Sequence, residues 1–495
     1  MRIIALALAA ASLLCGATIR KWSTRHNATV IDLSEGSAEI EFLSASTFRF
    51  QRCRKAAACV TRPGVSGLVP VKVRGTSRVV EFQTEYVVVA VSRADTAVYV
   101  TQAGGKPLFR EVIGTAPLEW ESRETESYWG LGIRAGANID LRGGTHKSER
   151  PLLVSSIGYG LYFPVTGQYE FDLRDRARLT AAPVLDRLEY FFYYGPGPKA
   201  VFEEHATVVG AIEGVRPDDV AIVRAEPRYA TIIEAADWRE WIEKTSHASF
   251  SGVMVAAAKL APELRRIAPW VPVLVAQQPE LADPNVVETR RRYSTYLLTY
   301  LWESRDRGAP VFRHTGLQYA EDREALQRSG QFMIGDELLV APGESAYLPR
   351  GIWTDLRTNV KHRGRQTVDA RGEGTAVFAR NGSIIPLVAG GRMELHYFPR
   401  LGAEFFIAEP ERDQYTKAHA GPAVDVLRLE VEPVVTRDFE WVVHNVSAAT
   451  DVASTGVALA PDAWRYDEVK RNLHVRIRAL ARSDAILNIR LKEPL

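Results

Sequence analysis

The sequence predicts a multidomain β and α/β protein, and three observations lead there. Its 495 residues exceed what one hydrophobic core serves, which points to several domains. Both ends of the chain consist of short runs alternating apolar and polar residues, the period of half-buried strands. Between them, apolar strand-like runs alternate with helical patterns, the mark of α/β units.

The first element is a targeting segment. MRIIALALAAASLLCGA has one Arg, an apolar run from Ile3 to Leu14 and small residues ending at Ala17. That is the layout of a secretory signal. Cleavage is expected after Ala17, which would place the protein outside the cell, in a periplasm or in the secretory-pathway lumen. The run is well short of the ~20 residues that span a bilayer and no later run reaches that length, so no transmembrane segment is expected. Cys15 follows Leu14, where a lipoprotein signal has a small residue, and this disfavours lipid anchoring. Asn27, Asn381 and Asn445 begin Asn-x-Ser/Thr sequons, which matter only in a host that glycosylates secreted proteins. In an exported chain the CRKAAAC spacing of Cys53 and Cys59 permits one small-loop disulfide, with two free thiols as the alternative.

Composition narrows the function classes. Lys+Arg 62 against Asp+Glu 60 gives no reason to expect nucleic acid or an anionic membrane as partner. No Cys/His cluster has metal-ligand spacing, and no glycine-rich loop joins a strand to a helix, so neither a metal nor a cofactor is expected. Low-complexity segments and clear internal repeats are also missing from the sequence.

From 18 to 195 the runs SAEIEFL, RVVEFQTEYVVVAV, TAVYVTQ and LEYFFYY, separated by Gly, Pro and Asp, predict a large β-sandwich. In GPGPKAVFEEHATVVG, Pro198 suits a first helical turn, and Val201, Phe202, His205 and Val208 share one face. This helix is expected to open a new domain over 196–314. There DVAIVRA, SGVMVA and WVPVLVA read as strands, while WREWIEKTSH and VVETRRRYSTYLLTYLWESRDRG read as helices. Short β runs resume at Thr315, and a break near Gly390 predicts two C-terminal β domains, 315–390 and 391–495.

These blocks carry a resemblance to glycoside hydrolase family 31, the α-glucosidase group, over nearly the whole chain after Ala17. YWGLGIRAG and SSIGYGLYF resemble that family's N-terminal sandwich, which implies a galactose-mutarotase-like domain. YYGPGPKAVFEEHATVVG resembles the entry to its barrel and YLLTYLWESRDRGAPVFRH the last barrel helix. QFMIGDELLVAP, YLPRGIWTDL and AVFARNGSIIPL resemble its C-terminal β domain, and AEFFIAEPERDQY a weakened form of its acidic loop. The blocks occur in the family's order.

The resemblance implies a (β/α)8 barrel, and there the chain departs from it. Pro196 to Arg313 is about half the roughly 250 residues of a complete barrel. The block bearing the family's nucleophilic Asp, a W-x-D-M/L-N-E type sequence, has no counterpart, so 196–314 is read as a truncated barrel remnant. RYATIIEAADWREW (Arg228–Trp241) resembles the strand and loop that carry the acid/base Asp. That Asp falls on Ala236, and Ile233 replaces a Trp. SGVMVAAAKL resembles the next strand block, with Lys259 in place of a sugar-binding Asp. WVPVLVAQQ resembles a block ending in a sugar-binding His, with Val275 for an Arg and Gln277 for the His.

A glycosidase needs two carboxyl groups flanking the scissile oxygen. Ala236 cannot donate a proton, a loss commonly worth ~10²–10⁴ in rate, and Lys259 opposes a cationic transition state. Glu234, two residues before Ala236 on an extended segment, is the best substitute carboxylate. Asp237 points the other way and suits capping the following helix, while Asp218 and Asp219 precede their strand. His146, His205 and His247 read as ordinary surface or core residues. Trp238, Trp241, Trp270 and Trp302 could stack on sugars, although Trp241 and Trp302 lie at apolar helix positions. The expected function is that of a secreted, catalytically inactive family relative that binds carbohydrate or a protein partner. The alternative is an active α-glycosidase with relocated catalytic residues. A segment missing between Val208 and Asp219 would account for the short barrel, yet restoring it would not restore Ala236, Lys259 or Gln277.

Overall fold

A computed structural model describes residues 17–53, 59, 67–114, 118–131, 140–148, 151–164, 168–174, 177–182, 187–209, 231–234, 253–257, 273–275, 284–328 and 330–493. They divide into two compact units, one running to the end of helix Pro198–Val209 and the other taking the described residues from Thr231 onward. The protein is multidomain and β-rich.

The first unit contains three antiparallel sheets of eight, five and four strands. At the centre of the largest, Thr47–Cys53 pairs with Ser37–Phe42 on one side and Arg187–Tyr194 on the other. Every residue of Thr47–Cys53 is buried, and the period of two separates its faces. Phe48 and Phe50 turn into an aromatic core, where Phe48 stacks on Phe192 at 5.1 Å and Phe192 on Tyr159 at 5.7 Å. The opposite face is polar: Arg49 Nε donates to Glu189 at 2.7 Å and Gln51 Nε2 to Glu39 at 2.8 Å.

The run RVVEFQTEYVVVAV forms two strands, Val79–Gln83 and Val87–Ser92, which pair as a hairpin. Thr84 divides it, because its hydroxyl accepts from the amides of Tyr86 and Val87 and closes the turn. Cys53 and Cys59 are joined in a disulfide with Cα atoms 5.6 Å apart.

Helix Pro198–Val209, expected to open the next domain, belongs to the first unit. Its contacts give the reason. Val201 and Phe202 are buried, a Cβ on Gly160 would meet Val201 Cγ1 at 2.4 Å, and the Glu204 carboxylate accepts from the hydroxyls of Ser44 and Thr47. The helix is therefore pinned to strands on both sides of its sequence neighbours.

The second unit holds one parallel sheet of three strands, Thr231–Glu234, Val253–Ala257 and Val273–Val275. Helix Pro284–Arg307 follows. It buries Tyr293, Tyr296, Leu297, Tyr300 and Leu301, three and four residues apart as an amphipathic helix requires. Tyr296 stacks on Phe405 at 5.8 Å.

A six-stranded and a two-stranded sheet come next, then two five-stranded sheets. Trp353 is fully buried in the first of these groups and donates its Nε1 hydrogen to Pro349 O at 2.8 Å. The break read near Gly390 is a hairpin turn: Ser383–Ala389 and Arg392–Phe398 pair antiparallel across Gly390 and Gly391. Both glycines have positive φ, 54° and 76°, which glycine adopts without strain. The first strand of that five-stranded sheet thus lies before the glycines.

Candidate functional site

The three parallel strands end just before the positions that resemble altered family sites. Parallel register pairs Glu234 with Ala256 and Ala257 with Val275, so the strands end side by side. Their last residues are Glu234, Ala257 and Val275. Ala236, Lys259 and Gln277 each follow two residues after a strand end, and catalytic groups of (β/α) barrels come from the C-terminal ends of neighbouring strands. Those three positions lie outside the described residues, as do Asp218, Asp219, Asp237, His247, Trp238, Trp241 and Trp270. Among the last residues of these three strands, Glu234 alone has a carboxyl group.

Elsewhere in the second unit a cavity of about 520 Å³ gathers groups able to hold and move protons. Apolar Ile385, Leu387, Val442 and Phe398 line one part of it, and Arg292, Arg465 and Lys470 bring positive charge. Glu394 and His396 are two apart on strand Arg392–Phe398, so they share a face. His396 Nε2 lies 2.9 Å from Glu394 Oε2, and its Nδ1 lies 2.8 Å from His444 Nε2. His444 Nδ1 lies 2.9 Å from Asn359 Oδ1, and Phe398 stacks on the His444 ring at 4.2 Å.

A second carboxylate, Glu440, contacts His474 Nδ1 at 2.9 Å, Arg392 at 3.0 Å and Arg476 at 3.2 Å. Burial alone would raise its pKa, but His474 and Arg476 outweigh burial and hold it below the usual carboxylate value. Burial pushes His444 well below the ordinary histidine value, and its interactions with His396, His474, Lys470 and Arg292 push it the same way. No group of three or more ligating side chains that could hold a metal occurs among the described residues.

His146 and His205 have structural surroundings. His146 Nε2 is 2.6 Å from Leu141 O. His205 packs edge-on against Tyr162 and Tyr193, and burial lowers its pKa to about 4. Trp302 is buried, with the Arg305 guanidinium 3.6 Å above its ring. Of the sequon residues, Asn381 is 3% exposed and its amide donates to Pro399 O. No helix among the described residues is long and apolar enough to cross a membrane. Sequence reading missed the Glu394–His396 pair, although the same-face spacing in RMELHYF was a signal. Nothing local in the sequence announced Asn359 and His444 as their partners.

Comparison with known proteins bears on both regions. Residues 308–385 match the family described as Glycosyl hydrolase family 31 C-terminal domain. Neutral alpha-glucosidase AB of Mus musculus is 32% identical over 129 residues, covering 24% of this chain and 13% of that protein. Alpha-glucosidase 2 of Bacillus thermoamyloliquefaciens is 28% identical over 132 residues, covering 25% of this chain and 16% of that protein. The matched part is thus a small fraction of either relative. The chain is similar in fold to the Flavobacterium johnsoniae GH31 dextranase complexed with glucose, with a TM-score of 0.76 and 16% identity, over 96% of this chain and 99% of that one.

Proposed function

This chain belongs to glycoside hydrolase family 31, and from that premise we propose that it is a secreted protein that no longer hydrolyses glycosides and instead binds carbohydrate or a protein partner. One observation carries the reading. The position resembling the family's acid/base Asp is Ala236, two residues after the end of the first parallel strand, and barrel enzymes draw their catalytic groups from just beyond such strand ends. Lys259 and Gln277 stand at the same offset along the chain from the next two strand ends. A single carboxylate at Glu234 can act as acid or base but not as both members of the pair that glycoside cleavage requires. The Cys53–Cys59 disulfide supports an oxidising compartment, in keeping with the signal-like N-terminus.

Purified full-length protein incubated with an aryl α-glucoside tests this. No aryl alcohol should form above the uncatalysed rate, while calorimetric titration with α-glucan oligosaccharides should show heat of binding if the ligand is a carbohydrate. Aryl alcohol release at a steady rate would overturn the reading. Its loss in Glu234→Gln would then identify Glu234 as the relocated catalytic residue.

A further inference from the structure

Counting protons along the contacts that run through the cavity gives a result that no single residue in it suggests. The count starts at Asn359. Its Nδ2 is 2.6 Å from Lys470 O and 3.0 Å from Asn472 Oδ1, and the latter already accepts from the Asn445 amide at 3.3 Å. Both partners are acceptors, so this end of the Asn359 amide is its NH2 group and Oδ1 is the atom facing His444. An oxygen there accepts, so His444 Nδ1 carries a proton. A neutral His444 then presents a bare Nε2 to His396, and His396 Nδ1 must donate across their 2.8 Å contact.

A neutral His396 has no second proton. Its Nε2 would face Glu394 Oε2 at 2.9 Å with both atoms acceptors, unless one more proton lies between them. Three contacts need three protons, whereas two neutral imidazoles bring two.

We propose that Glu394, His396, His444 and Asn359 form a proton-binding chain that holds one proton more than an ionised carboxylate and two neutral imidazoles supply, and that this proton ties strand Arg392–Phe398 to the turn at 356–360. The extra proton belongs to the Glu394–His396 pair. His444 is buried beside positive charge and cannot take it: Lys470 approaches from the turn after strand Trp464–Asp467 and Arg292 from the long helix, and His474 on strand Asn472–Ala479 also disfavours a charged His444.

Several other charged groups around the pair have partners of their own. Arg292 lies 3.2 Å from Glu394, Arg357 is held by Asp355 at 3.0 Å, and Glu440 gathers Arg392, Arg465, Arg476 and His474. Asp467 accepts from the Lys470 amide at 2.9 Å. Burial first, then Arg292 and His474, lower His396, while the Glu394 carboxylate opposes them. Proton sharing across that contact reconciles the two.

Linkage sets the sign. Above about pH 7 the unfolded chain has an ionised carboxylate and two neutral histidines, so unfolding releases the extra proton and stability falls as pH rises. Below about pH 6.5 both unfolded histidines become charged while the folded chain has room for only one added proton, so stability falls again. Urea unfolding of the full chain from pH 6 to 9 measures this. In the alkaline limb the unfolding constant of the wild type should rise about tenfold per pH unit faster than that of Glu394→Gln, whose amide N–H supplies the third proton permanently.

Asn359→Gly acts on the other end. Without the Asn oxygen, His444 can donate from Nε2 and the chain closes with two protons; Gly suits the φ of 58°. Its alkaline limb should be equally shallow. The slope is the readout, since Glu394→Gln also loses its ion pair with Arg292 and Asn359→Gly loses side-chain hydrogen bonds. A wild-type slope shared by both variants, or by whichever of them folds, overturns the proposal.

Discussion

Arg52→Ala should lower the stability of the N-terminal unit by about 3–5 kcal/mol, the range for removing one partner of a buried ion pair. Arg52 and Glu111 have side-chain exposures of 1% and 0% and meet at 2.8 Å. The period of two on strand Thr47–Cys53 puts Arg52 on the face of Phe48 and Phe50, and its guanidinium lies 5.1 Å from the Phe50 ring centroid. The cation also donates to Thr96 O at 2.9 Å, while Glu111 accepts from Tyr190 OH and from the Val98 amide, each at 3.0 Å.

Without Arg52, Glu111 would remain as an unpaired anion in an aromatic core. Burial already raises its pKa against the opposing Arg52 charge, so removing that charge raises it further. A folded pKa above the unfolded one favours the folded state on the acid side. The deficit of Arg52→Ala should therefore shrink toward pH 4, and Arg52→Met with Glu111→Leu should recover most of the lost stability. Urea unfolding followed by the near-ultraviolet signal of the unit reads both effects. A deficit below about 1 kcal/mol at pH 7 would show the pair to be dispensable.

Glu337→Gln should remove a pH dependence worth about 3 kcal/mol between the unfolded and folded pKa values of that carboxyl. Tyr296 OH lies 2.6 Å from Ile334 O and 2.9 Å from Glu337 Oε2. The carbonyl can only accept, so it takes the single hydroxyl hydrogen, and Glu337 must donate to the tyrosine. Tyr300 donates to Glu337 Oε2 at 2.5 Å and accepts from the Asp336 amide. This arrangement needs a protonated carboxyl. Burial, with Asp336 as a second cause, raises Glu337 from 4.5 to about 7.

The contribution is complete below the unfolded value of 4.5 and is lost as pH rises through about 7. Wild-type unfolding at pH 5 and at pH 8 should differ by more than that of Glu337→Gln, with the variant flatter and the less stable of the two at pH 5. Equal profiles would mean that Glu337 is ionised throughout. Gly335 depends on the same packing. A Cβ there would lie 2.2 Å from the Tyr300 ring, at a φ of 58°, so a side chain at 335 displaces the tyrosine that holds Glu337.

Much of the frame was legible in the residues. Alternation in SAEIEFL matched a real strand because one face is the more deeply buried, the aromatic run in LEYFFYY matched one buried on both faces, and the apolar spacing after Pro284 marked the long helix. Less local features were not legible. Thr84 closes a turn inside a stretch without Gly, Pro, Asn or Asp to mark it, since one hydroxyl accepts the turn's amides. Helix Pro198–Val209 joins the unit before it because Ser44 and Thr47 hold Glu204, residues far earlier in the chain. Of the candidate site, the sequence offered Ala236, Lys259 and Gln277 by resemblance, and the parallel register adds that the strands preceding them are neighbours.

The family resemblance, and the Ala236 at a position resembling the family's acid/base Asp, are read from the sequence alone, because residue identity at a motif position needs no coordinates. The proton-holding chains needed the fold. Glu394, His396, His444 and Asn359, like Arg52 and Glu111, are joined by contacts across long stretches of chain, and no local period records which acceptor will face which. Whether a buried carboxyl or imidazole keeps its proton depends on that facing, and packing alone decides it.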